Sequence, residues 1–359
     1  MNSLKKVIGI IIILAVSVSI FAGCSKAGTG SADVVSITDS SGRVVEIPKK
    51  VNKVASGGVV AQVYLYTMNP DKMVGWAKEP SKIESKYIDK KHLDKPVFGQ
   101  IYGKNAKLNV EEIIKAKPDV IIDMGEKKKG IKEDLDKIQK QLGIPVVFIE
   151  ATMDTLPKAY RTLGEVMGDR ERAEKLATYT ENTINEAKEK ASLIAEKDKK
   201  RIYYGDGQTG LEINPVGSVQ ADVIEIIGAV NVADVSGDKS SGGKEVTIEQ
   251  VILWKPDVLM FGPKSVYPGI KENKVWKDLE AVKNGKVYEV PIGPYNFMGR
   301  PPSVNRVIGI KWLGNLIYPE VYKYNMVYEV QEFYRLFYNY NLSVDDAREL
   351  LKNSSLLLK

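Results

Sequence analysis

The chain has 359 residues, 43% of them hydrophobic and 27% charged, with a net charge of +6. That is long for one core and comfortable for two, and too mildly basic for a nucleic-acid surface. One cysteine and one histidine exclude an internal disulfide and a Cys/His-rich zinc site, and leave His92 as the sole base available to a Ser-His-Asp triad.

The first element in chain order is an export segment. Lys5 and Lys6 precede an apolar run from Val7 to Ala22, shorter than the roughly 20 residues a spanning helix needs. The run ends in Phe21-Ala22-Gly23-Cys24, ahead of a Ser/Gly/Thr-rich stretch. This resembles a bacterial lipobox, with Phe21 where leucine is commoner. The resemblance implies removal of residues 1–23, thioether lipidation of Cys24 and a flexible tether over 24–34. The folded part is then extracytoplasmic and held to the membrane by acyl chains, of which two or more anchor stably. An uncleaved N-terminal anchor is the alternative. Losing Lys5 and Lys6 lowers the net charge to +4.

Residues 35–168 read as a first α/β lobe. "KVASGG" (53–58), "MVGW" (73–76) and "IPVVFIEA" (144–151) are strand-like and run into loops. His92, in "DKKHLDKP", reads as a solvated surface histidine, with axial ligation of haem or a corrinoid as the sharper alternative. A helix is expected over 169–198, because Ala173, Leu176, Ala177, Thr180, Ile184, Ala187 and Ala191 recur at helical spacing. At 1.5 Å per residue it would run about 40 Å, enough to join two lobes stiffly. Residues 199–359 supply the second lobe, with strands in "RIYYGDG" (201–207) and "GKVYEVP" (285–291) and closing helices after it. The aromatic stripe around Phe333 and Phe337 reads as a helix packed on that lobe, followed by a short helix capped at Ser343.

One segment occurs twice. "VEEIIKAKPDVIIDMG" (110–125) and "IEQVILWKPDVLMFG" (248–262) align at an offset of 138, Glu111 on Glu249 and Lys-Pro-Asp-Val on Lys-Pro-Asp-Val. In each, a capping box (Asn109 with Glu112, Thr247 with Gln250) opens a short helix that proline ends. A buried parallel strand follows. Two lobes of similar architecture are the expected result.

These segments together resemble the substrate-binding lipoproteins of ABC importers for ferric siderophores, haem and corrinoids. The opening "ITDSSGRVVEIPKKVNKVAS" (37–56) looks like that family's first hairpin and strand, and "NRVIGIKWLGNLIYPE" (305–320) like its closing helix. The resemblance spans about residues 35–350 and implies two Rossmann-like lobes, a long rigid linking helix and a ligand cleft between them. It implies permease docking through Glu111 and Glu249, where acids at a helix start would otherwise simply complement the dipole. It also implies permease and ATPase partners and no enzymatic activity.

In such a fold the ligand sits at the carboxyl ends of the strands, which makes the following loops candidates. Trp76, Tyr102, Tyr204, Tyr295, Phe297, Met298 and Arg300 are the expected ligand contacts. The last four lie in the proline-rich loop "GPYNFMGRPPS" (293–303), where Arg300 offers a planar fork to carboxylate or phenolate. A monomer capturing a ferric siderophore-like chelate, which brings its own metal so that the protein needs no cofactor or metal site, is the leading expectation. Haem or cobalamin is the alternative. A metallocofactor enzyme such as a chelatase, and an envelope scaffold, are the rival classes.

Overall fold

The computed structural model describes residues 33–103, 106–235 and 243–353. The export segment, Cys24 and most of the tether lie outside the described residues.

The first lobe holds three parallel strands, Val54–Ser56, Val120–Gly125 and Val146–Glu150, in that spatial order. The second repeats the arrangement with Arg201–Asp206, Val258–Phe261 and Val287–Glu289. Register matches as well as order. Val54 pairs with Val120 where Ile202 pairs with Val258, and Ile121 pairs with Val146 where Leu259 pairs with Val287. Short strands at 212–213, 230–231 and 244–245 widen the second sheet. Met73–Trp76, expected as a strand, makes only isolated bridges to Val54 and Val97.

The repeated Lys-Pro-Asp turn explains why the registers agree. Lys117 and Lys255 end helices Val110–Ala116 and Ile248–Trp254 in the left-handed conformation, at φ 51° and 46°. Proline then forbids continuation. The aspartate that follows locks the neighbouring strand at its start. Asp119 donates its N–H to Lys53 O at 2.9 Å, and its carboxylate accepts from the N–H of Asn52 and Lys53. Asp257 does the same to Arg201, giving to its carbonyl and taking from its N–H, both at 2.8 Å. Each capping box forms only in half. Asn109 and Thr247 accept from Glu112 and Gln250, while the Asn109 N–H goes to Phe98 O instead.

The linking helix runs Arg170–Ser192, 23 residues capped by the Asp169 side chain, or about 35 Å. Its buried stripe includes the expected Ala173, Leu176, Ala177, Thr180, Ile184 and Ala187. It packs on Leu156–Met167 of the first lobe and on Asn305–Ile317 of the second.

The aromatic helix Met326–Tyr338 corrects the expectation that it packs on the second lobe. It touches Asn305–Ile317 but also reaches the first lobe. Tyr338 lies 6.4 Å from Tyr66, Phe337 6.0 Å from Tyr160, and Tyr334 5.2 Å from Tyr87, between ring centroids. The physical reason is area: large rings find most of their burial in the seam between lobes. Ser343 caps the helix Val344–Leu351 as expected, accepting from Asp346 N at 3.0 Å. The result is one continuous apolar core that includes strands of both lobes. Sliding or wide opening of the lobes would break it.

Candidate functional site

The strand ends of the first lobe face loop residues of the second across a cavity of about 170 Å³. Larger hollows lie elsewhere: one at the back between residues 66–71, 87–92 and 338–340, one at the second lobe's outer strand, and one between residues 86–87, 289–292 and 346–353. The smaller cavity is the candidate, because it sits at the carboxyl ends of the first lobe's parallel strands and is closed by second-lobe loop residues. Its first-lobe wall is Gly58, Gln100, Tyr102, Asp123, Glu126 and Lys128; Val219, Gln220 and Pro302 face them from the second lobe.

Asp123 is the unusual member. It sits inside a buried strand, 6% exposed, where the second repeat has Phe261. Burial pushes its carboxyl up to about 6, against the pull of Lys128 and of the Met124 N–H. Gly57 makes room for it. A Cβ there would stand 2.8 Å from Asp123 Cβ and 3.0 Å from Oδ1. Lys128 lies 4.4 Å over the Tyr102 ring, a cation–π contact. Burial and the neighbouring Asp134 and Asp123 hold the Tyr102 hydroxyl well above its ordinary range, so it is a neutral phenol. The wall carries one positive and two negative side chains, unlike a basic anion pocket.

Of the seven expected ligand contacts, the cavity takes only Tyr102. Trp76 is 1% exposed and donates Nε1–H to His92 O at 2.9 Å. Tyr204 is a fully buried strand residue whose hydroxyl accepts from Asn296. Tyr295, Phe297 and Met298 belong to the core shared by the lobes, and Phe297 meets Trp312 edge-on at 6.2 Å. Their loop is tied inward. Asn296 Oδ1 accepts from the N–H of Met298, Gly299 and Arg300, and Asn305 donates to the carbonyls of Gly293 and Tyr295. Arg300 is half-exposed, with Nε 2.7 Å from Asp206 and Nη2 donating to Asn214. Its charge is already matched.

Gly58, Gln100 and Glu126 join Tyr102 in the first-lobe wall. From the second lobe, the expected loop 293–303 contributes Pro302, and Val219 and Gln220, which were not expected, complete the wall. Asp123 carried a sequence signal, an acid within an otherwise apolar strand. Gln220 carried none. His92 is neither solvated nor near the cavity. It is 3% exposed at the back, edge-on to Tyr66 and 3.4 Å from Asp71, and burial lowers its pKa. Among the described residues no three His, Cys, Asp or Glu side chains are grouped to hold a metal ion, and no helix is long and apolar enough to cross a membrane.

Glu111 and Glu249 lie on the outer surface of their lobes, each in the first turn of a seven-residue helix. Glu112 pairs with Lys115 at 3.6 Å, which leaves Glu111 outside that pair. Glu249 is held below its ordinary range by its own backbone N–H and by Thr247.

Residues 68–292 match the family model described as periplasmic binding protein. The Fe(3+)-citrate-binding protein YfmC of Bacillus subtilis is 28% identical, over 79% of this chain and 89% of that protein. The high-affinity heme uptake system protein IsdE of Staphylococcus aureus is 26% identical, over 58% of this chain and 71% of that one. Among solved structures, an ABC transporter solute binding protein from Sulfurospirillum deleyianum superposes with a TM-score of 0.81 at 29% identity, covering 88% of this chain and 99% of that one. A periplasmic solute binding protein from Veillonella parvula gives 0.73 at 26% identity, covering 91% and 100%.

Proposed function

Because the chain belongs to the periplasmic binding protein family, and so is the extracytoplasmic solute-binding component of an ABC importer rather than an enzyme, we propose that its cargo is a compact ferric chelate of the hydroxycarboxylate kind. The size of the cavity carries this reading; its charge, one positive and two negative side chains, does not select an anion. At about 170 Å³ it falls below the roughly 300–1,000 Å³ of pockets for drug-sized ligands. Haem or a corrinoid would require the lobes to part, against the core that joins them. The iron-citrate relative supports the same choice. A chelate that carries its own metal also suits a wall of hydrogen-bonding groups, Gln100, Tyr102, Asp123 and Gln220, rather than a set of metal ligands.

The test is calorimetric titration of the chain from Ser25 onward. Ferric citrate binds saturably at micromolar or lower concentration, while haem and cobalamin bind at least tenfold more weakly. Tight haem binding with none of ferric citrate overturns the reading.

Anchoring through Cys24 belongs to the same proposal. The lipobox-like Phe21-Ala22-Gly23-Cys24 and a tether of polar and small residues support a lipid anchor that keeps the binding lobes near the permease. Cys24→Ser moves the protein from the membrane fraction to the soluble one and abolishes palmitate labelling. Unchanged membrane retention would refute the anchor.

Glu111 and Glu249 dock into basic sites on the permease in this reading. Two exposed acids at matched positions on matched lobes support it.

A further inference from the structure

The docking helices are alike in more than their acids. From Val110 and from Ile248, the next nine positions show the same sequence of exposure, residue by residue, through the buried prolines Pro118 and Pro256. Three residues after each acid stands an isoleucine that the fold leaves in water. Ile114 is 49% exposed and Ile252 53%. A single exposed aliphatic residue is ordinary. The same residue at the same place on both lobes, each beside an acid with no ion-pair partner among the described residues, is not explained by surface statistics. The i, i+3 spacing puts acid and isoleucine side by side on one helix face.

We infer that each docking point is a composite, an acid with an aliphatic knob, Glu111 with Ile114 and Glu249 with Ile252, and that the permease presents the matching basic and apolar socket twice. This rests on the docking reading above and adds the apolar half to it. The acids favour a protein socket over an anionic membrane surface, which would repel them. The duplication favours a permease with two equivalent faces, because one internal repeat meets the same complement on each lobe. The second point is the more apolar, with Leu253 72% exposed where the first has Lys115.

The test measures binding of the fluorescently labelled chain, from Ser25 onward, to right-side-out membrane vesicles from source cells that lack this chain. Protein-free vesicles of anionic phospholipid serve as the control. The wild type binds the cell vesicles saturably and is displaced by excess unlabelled protein. The pair Ile114→Ser/Ile252→Ser binds at least tenfold more weakly, as does Glu111→Ala/Glu249→Ala, with ferric citrate titrations unchanged and melting temperatures lowered by only a few degrees, because the isoleucines are half-exposed and an acid at a helix start adds only modestly to stability. If the serine pair matches the wild type while the alanine pair is lost, the composite is wrong and acid docking stands. If neither pair differs from the wild type, or the wild type binds phospholipid alone equally well, both the composite and the docking reading fall. Loss of ferric citrate binding by the wild type would bear on the cargo and leave both untouched.

Discussion

Arg306→Ala lowers stability by about 3 kcal/mol at pH 8, the low end of the range for stranding one member of a buried ion pair, because the Asp222 side chain keeps 24% of its exposure. Arg306 is fully buried at the head of the closing helix. It donates Nη1 to Asp222 Oδ2 at 2.6 Å and to Val219 O at 3.2 Å. Even beside this guanidinium, burial holds the Asp222 carboxyl up at about 6. Removing the arginine raises it further. The sign follows from linkage. A carboxyl whose folded pKa lies above its unfolded value binds a proton more tightly in the native state, so its destabilising effect is absent below the unfolded pKa, grows as pH rises from there to the folded pKa and is complete above it; raising the folded pKa further extends that growth to higher pH. The Arg306→Ala loss is therefore smaller at pH 5 than at pH 8 in urea titrations. A second variant separates charge from packing: Arg306→Met with Asp222→Leu recovers much of the loss, since apolar pairs often replace buried ion pairs at little cost. Equal losses at both pH values, with no recovery in the double variant, would show that the pair's charge is irrelevant. Val219 also forms part of the cavity wall, so ferric citrate affinity falls in Arg306→Ala.

The opposite sign is expected at Asp123. Asp123→Asn raises stability by about 2–3 kcal/mol at pH 7–8, at 1.36 kcal/mol per pKa unit. Its carboxyl moves from the ordinary 3.8 to about 6 mainly by burial, so the native state is penalised for carrying the charge. The penalty is absent below about pH 4, develops between pH 4 and 6 and is complete above that. The neutral amide keeps the side chain's shape and can still accept from the Met124 N–H. Urea midpoints of wild type and variant converge near pH 4 and separate by pH 7; parallel curves across that range would remove the charge from the account. A destabilising group kept in a cleft is the usual mark of a site that trades stability for function. That fits the place of Asp123 in the wall of the proposed ligand cavity.

Much of the fold was legible because it rests on local physics. Proline after a left-handed lysine must end a helix, and an aspartate next to it offers an acceptor for adjacent backbone N–H groups. Both copies of Lys-Pro-Asp carry that information, and each lobe uses it to set strand register. The apolar stripe from Ala173 onward located the linking helix, although it stops at Ser192, short of the expected 198. The cavity was less legible. Trp76, Tyr204, Tyr295, Phe297 and Met298 have the chemistry of ligand contacts, but chemistry does not give direction. A loop between prolines can point its rings out or in, and Asn296 and Asn305 draw this one in through five backbone hydrogen bonds.

By itself the sequence determined the two-lobed α/β architecture, its linking helix, its family and the matched acids, because each depends on periodicity, capping or a repeat that short-range sterics and hydrogen bonding dictate. Only the tertiary structure decided which side chains meet across the cleft, that Val219, Gln220 and Pro302 face Asp123, that His92 lies behind it, and that the aromatic helix Met326–Tyr338 joins the lobes. The reason is that burial of large rings and pairing of buried charges are settled between segments far apart in the chain, where no local preference acts.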